Sequence, residues 1–174
     1  MFYVSNDKHL NYEQSKEFLE LCFQEATYFT LLDMAFRRYD NYNQDLEKCL
    51  EPFKVGEITN RNGEYGNSMY LDETLTSYVY EITEQSKESF LSVFPGIYMD
   101  WEADFHQVDR EMPEISSLSD IIFLDEEKRM IVETIEHEGI IRIFQKTGAL
   151  VDWAQQKKKI WKPFSHEIEK VMSW

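Results

Sequence analysis

The chain has 174 residues, 43% of them apolar and 15% aromatic, and a formal net charge of −15. That length predicts one domain spanning residues 1–174, since a chain of this size hides roughly 70% of the surface it exposes when unfolded. Twelve Phe, ten Tyr and four Trp exclude an acidic disordered tail, which is poor in aromatics. No run approaches the ~20 apolar residues of a membrane helix.

The charge is uneven. Residues 72–138 hold eighteen Asp and Glu against four Lys and Arg, a net of −14, while the first 71 residues net −5 and the last 36 net +4. Like charges crowded on a compact body repel one another and cost stability, so a basic partner is the physical reason to keep them. The same charge argues against direct binding of nucleic acid or anionic lipid.

Asn11 with Gln14 predicts a helix start, the short side chain capping an orphan amide. Phe18, Leu21, Cys22, Phe29, Leu32 and Phe36 follow at helical spacing, which predicts a long buried N-terminal helix over about 12–38, apolar all round from Tyr28 to Phe36. A short helix near 43–50 must end before Pro52. Residues 59–68 carry the strongest loop signal. Asp72 predicts the cap of a helix over about 73–94, although Thr76–Tyr80 has strand propensity. Residues 97–102 read as a strand, and the acidic remainder to Asp120 as a loop or short helix.

Residues 121–145 hold the clearest β signal. Ile121–Leu124, Met130–Ile135 and Ile140–Phe144 are strand-like runs with short connections, which predicts an antiparallel meander. A symmetric turn at 136–139 places Glu133 opposite Arg142, an opposite-charge pair that supports the register. Beyond Gly148 the pattern predicts a helix to about 161 and a last one from Ser165 with Ile168, Val171 and Met172. The fold class is α+β, helices packed on a small antiparallel meander with further helices at the C-terminus. Cys22 and Cys49 read as buried thiols of a reducing compartment, with a disulfide between them left open. The N-terminal residues lack the pattern of a signal peptide, so the expected location is cytoplasmic.

Catalytic signatures are sparse. Asp100, Glu102, Asp104 and His106 alternate and share one strand face, but such a row spans about 20 Å, too far for one metal ion. Trp101, Ala103 and Phe105 would then face inward. His166–Glu169 lacks the second His of a zinc-protease helix. Asp120, Glu133 and Glu136 lack the Lys that a metal-dependent nuclease core carries near its second carboxylate. Nothing singles out His9, His106, His137 or His166. Lys157–Lys159 with Trp153, Trp161 and Lys162 could hold phosphate or nucleic acid, form the wet face of a helix whose stems cover apolar surface, or pair internally with the acidic middle segment. No enzyme activity, metal or cofactor is expected.

A small, acidic, aromatic-rich chain without a catalytic motif resembles the immunity proteins that bacteria make against their own secreted toxins. The resemblance rests on size and charge profile. It implies a protein that binds a cognate basic toxin domain, often a nuclease, and blocks its active site or substrate groove. The expected partner-binding residues are Tyr98, Trp101 and Phe105 as anchors, ringed by Glu102, Asp104, Asp109, Glu111 and Glu114. Two other readings stay open: a phage or plasmid anti-defence protein that mimics nucleic acid, and an enzyme whose site gathers scattered Asp, Glu and His. Oligomeric state is not legible.

Overall fold

A computed structural model describes residues 2–4, 10, 12–32, 41–60, 75–93, 120–135, 140–157, 162–163 and 172–174. In chain order these form β1 (Phe2–Val4), α1 (Tyr12–Glu25), β2 (Tyr28–Leu32), α2 (Asn41–Leu50), β3 (Lys54–Asn60), β4 (Leu75–Glu81) and α3 (Glu84–Val93). Then follow β5 (Asp120–Leu124), β6 (Met130–Ile135), β7 (Ile140–Ile143), α4 (Ala149–Gln156) and β8 (Lys162–Pro163). The strands build one antiparallel sheet of order β3-β4-β2-β5-β6-β7-β1-β8. The α+β class is as expected, but the meander over 121–145 is the middle of an eight-stranded sheet rather than a small sheet of its own.

The expected helix over 12–38 is two elements. α1 ends at Glu25, its last turn closed by Ala26 N–H donating to Cys22 O at 3.0 Å. Tyr28–Leu32 is instead a central strand between β4 and β5. Its run of apolar residues fits a helix buried all round. A strand covered on both faces needs the same composition. Phe29 and Leu31 join the core under the helices, while Leu32 joins a second apolar cluster on the other side of the sheet.

The expected helix over 73–94 also divides. Thr76–Tyr80 follows its strand propensity, and the helix starts only at Glu84. Its cap is Thr83, not Asp72: Ser86 N–H donates to Thr83 Oγ1 at 3.0 Å, and Thr83 N–H donates to Ser86 Oγ at 2.8 Å. That reciprocal pair satisfies two amides that a helix start leaves without partners. The helix near 43–50 is α2. The helix expected to reach 161 stops at Gln156. Thr59 and Asn60, within the expected loop over 59–68, instead close β3. The strand expected at 97–102 and residues 164–171 of the last helix lie outside the described residues; Met172 carries no regular element.

All four described helices contribute to one core on one face of the sheet, where Phe18, Phe23, Leu46, Phe90 and Leu150 meet Phe29, Tyr80 and Phe123. Phe23 stands edge-on to Phe29, Phe90 and Phe123 at centroid distances of 5.8, 5.3 and 5.3 Å. Edge-to-face contacts of this kind contribute roughly 0.5–1.5 kcal/mol each beyond the area they bury. α1 is joined to α4 by Glu25, whose carboxylate accepts from Ala149 N–H and, at 3.4 Å, from Leu150 N–H. Gly148 precedes them at φ +125°, where a Cβ would come within 2.8 Å of that carboxylate.

The opposite face carries Leu32, Ile58, Val79, Ile122, Leu124 and Met130, with Met172 packed against them. Trp174 lies on Gly56, its ring edge-on to Tyr28 at 5.3 Å and beneath the Lys128 ammonium at 4.1 Å. Met172 N–H donates to Lys128 O at 3.0 Å.

Glu133 pairs with Arg142 in the register read from the turn. Arg142 donates to its carboxylate at 3.1 Å, and Glu133 is 2% exposed against 38% for the Arg side chain. A carboxylate so buried needs its guanidinium. Arg142→Met should therefore lower stability by about 2 kcal/mol in urea unfolding. A variant as stable as the parent would show that the pair adds nothing.

Candidate functional site

Glu81, Asp125, Glu126 and Glu127 lie at one end of the sheet, where β4 ends and β5 turns into β6. Cross-strand partners run Glu81–Tyr28–Leu124–Met130 over β4, β2, β5 and β6. Thr27 ties this end together, its N–H donating to Leu124 O at 2.8 Å and its carbonyl accepting from Ile82 N–H at 2.9 Å. α3 rises from the same end with Glu84 and Glu88 on its exposed face. An i, i+4 spacing places those two side by side.

The β5–β6 turn, residues 125–129, completes it. Asp125 organises the turn: its Oδ1 accepts from the backbone N–H of Glu127 and of Arg129, each at 2.9 Å. Its Oδ2 holds the Arg129 guanidinium at 2.8 Å, and Glu127 takes another corner of that guanidinium at 2.6 Å. Lys128 turns at φ 65° and lays its ammonium on Trp174. Both bases of the turn are therefore engaged. On α3, Lys87 pairs with Glu20 of α1. Glu81, Glu84, Glu88 and Glu126 are exposed and make no ion pair with a described residue. Among the described residues these four glutamates have no ion-pair partner, so this end of the sheet presents exposed negative charge.

The residues expected to bind the partner, Tyr98, Trp101, Phe105, Glu102, Asp104, Asp109, Glu111 and Glu114, lie outside the described residues. So do Asp100, Glu136 and the four histidines His9, His106, His137 and His166. Asp120 and Glu133 are both 2% exposed. Their cross-strand partners Leu32 and Ile122 belong to the apolar cluster away from the helices. Among the described residues no group of three or more His, Cys, Asp or Glu stands close enough to hold a metal ion. Of the cluster's lysines only Lys157 is described in full. It pairs with Glu17 at 3.0 Å and covers the Trp153 ring at 4.8 Å, so its charge is spent on α1. The Trp153 indole N–H and the Lys157 ammonium hold Glu17's carboxyl below its ordinary value despite partial burial.

The four exposed glutamates were part of the acid tally, yet nothing singled them out. The available signal was Thr83-x-x-Ser86, which marks a helix start and so places Glu81 at a strand end and Glu84 in a first turn.

The cysteines differ from expectation in one respect. Both are free, Cys22 buried and Cys49 exposed. Cys49 falls on the wet side of α2, between Leu46 and Leu50, which face the core. Burial, with Glu25 nearby, pushes the Cys22 thiol well above its ordinary pKa. A thiol reagent should therefore label one cysteine in the native protein and two after denaturation. Two equivalents taken up at once under native conditions would contradict that burial.

Among the described residues no helix is long and apolar enough to cross a membrane. Compared with known proteins, the chain matches no family model, and neither a curated protein nor a solved structure matches it significantly.

Proposed function

We propose that this chain is an acidic binding module that neutralises a basic protein, most consistent with an immunity protein holding a bacterial toxin domain inactive. The observation that carries the reading is the exposed acid toward one end of the sheet, Glu81, Glu84, Glu88 and Glu126, which makes no ion pair with a described residue and lies within the segment that holds −14 of net charge. Such charge speeds encounter with a cationic partner and selects against acidic ones. Tyr98, Trp101 and Phe105 supply the desolvated anchors of the interface, and Glu102, Asp104, Asp109, Glu111 and Glu114 its rim. Blocking a toxin's active site or substrate groove needs no chemistry from the blocker, only area and complementary charge.

The partner is identified by crosslinking in the native host and the complex is then studied with purified components. Association should slow steeply with added salt while dissociation changes less. Glu84→Lys with Glu88→Lys changes exposed positions and should alter stability by under about 0.5 kcal/mol, yet slow association several-fold. Trp101→Ala should instead speed dissociation and weaken binding by about 2 kcal/mol. A partner whose binding ignores salt and whose footprint avoids residues 72–138 would overturn the proposal. If the partner is a nucleic-acid-binding protein that nucleic acid competes away, the mimicry reading is the better one.

A further inference from the structure

We propose that β3 takes up an extended basic segment of the partner protein as a ninth strand of the sheet. This rests on the basic-partner reading above and specifies how part of that partner is held.

β3 stands at one end of the strand order and pairs with β4 alone; among the described residues no strand occupies its outer side. The other edge, β8, is two residues long and includes Pro163, which has no N–H to offer. Five residues of β3, Gly56–Asn60, run in unbroken register with Val79–Leu75. Their outward backbone groups therefore form a regular row of the kind that recruits an added strand.

Native edges are commonly guarded by a bulge or by a projecting lysine. Both devices are present here, and neither closes the edge. The register shift falls between Lys54 and Gly56, at the start of the strand, and leaves the rest straight. It also brings Lys54 and Glu57 to one face, where the ammonium sits 2.8 Å from the carboxylate and 3.5 Å from the Tyr78 ring centre. Lys54 is thereby drawn onto the sheet rather than projecting from its edge. Val55, at the shift, is 44% exposed and is the exposed large apolar side chain among the described residues.

The charge around the edge selects the occupant. Glu51 is exposed beside it, as is Glu57, whose charge is shared with Lys54. Lys54 lies opposite Tyr80, next to Glu81, so the edge begins at the acidic end of the sheet. A basic segment drawn to Glu81 and Glu84 can continue along β3. A second copy of this chain would set two bodies of net charge −15 edge to edge, which repulsion opposes.

The test uses the isotopically labelled full chain and two synthetic peptides, one alternating Lys and Val and one alternating Glu and Val. With the Lys-Val peptide at ten times its dissociation constant, the outward amides within Gly56–Asn60 should exchange about tenfold more slowly. The Glu-Val peptide should have no such effect. Val55→Lys should abolish the protection while leaving the rest of the spectrum unchanged, since a lysine at the exposed position guards the edge. Protection confined to Glu81–Glu88 and the 125–129 turn would overturn the edge proposal and leave the basic-partner reading standing. No response anywhere would count against both. Equal protection by the two peptides would refute charge selection. Slowing that depends on chain concentration without peptide would assign the edge to a second copy.

Discussion

Phe29→Ala should remove about 4 kcal/mol of stability, a large share of the roughly 5–15 kcal/mol typical of a domain. Phe29 is fully buried in the central strand β2. Its ring meets Phe23, Tyr80, Phe90 and Phe123 at centroid distances of 5.8, 5.3, 5.5 and 6.2 Å. These partners come from α1, β4, α3 and β5, so a hole at Phe29 loosens four elements at once. The cost has two parts, the lost transfer of the ring out of water and the cavity left behind, because a close-packed interior cannot collapse fully. Urea unfolding reads the loss as a lower midpoint. Phe29→Leu, which keeps most of the volume, should cost about 1 kcal/mol. If the alanine variant loses less than about 1 kcal/mol, β2 is not the centre of the core.

The second large effect is expected where the C-terminal residues meet the sheet. A Cβ at Gly56 would overlap the Trp174 ring, so Gly56→Ala must push the ring off its seat. The displaced ring loses Tyr28 and Lys128, and the apolar face beneath it is opened. We expect a cost of about 2 kcal/mol, with residues near the C-terminus becoming susceptible to protease. Trp174→Ala should cost about as much, less than a fully buried tryptophan because the ring is partly exposed. The two losses share one contact and should not add. In the Trp174→Ala background, Gly56→Ala should cost under about 0.5 kcal/mol. Additive losses would mean that the glycine serves something other than the ring.

The acidic end obeys a different rule. Its glutamates are exposed, so their removal should change stability little, and on the proposed reading their effect would be on encounter rates with a charged partner.

Residues 121–145 were legible because their pairing is local. A strand returning through a short turn has its register set by that turn, and Glu133 duly meets Arg142. The first helix was legible as far as Cys22, where buried Phe18 and Cys22 follow helical spacing. Tyr28–Leu32 was not. A helix covered on all sides and a strand covered on both faces require the same apolar run. What decides between them is whether partner strands exist, and those partners, β4 and β5, come from residues 75–81 and 120–124. Thr76–Tyr80 was ambiguous for the same reason, and Thr83-x-x-Ser86 was the local mark that a helix begins after it.

By itself the sequence determined the α+β class, the antiparallel run over 121–145, its register at Glu133, and the concentration of acid in residues 72–138. Each of these depends on neighbours in the chain or on a sum over it. The tertiary structure alone decided that one wide sheet draws its strands from residue 2 to residue 163, and that all four described helices lie on one face. It also decided that Gly56 seats Trp174 and that Glu81, Glu84, Glu88 and Glu126, exposed and without an ion pair to a described residue, fall toward one end of the sheet. Those outcomes depend on which distant segments can bury each other's apolar faces at close packing, and no local pattern carries that information.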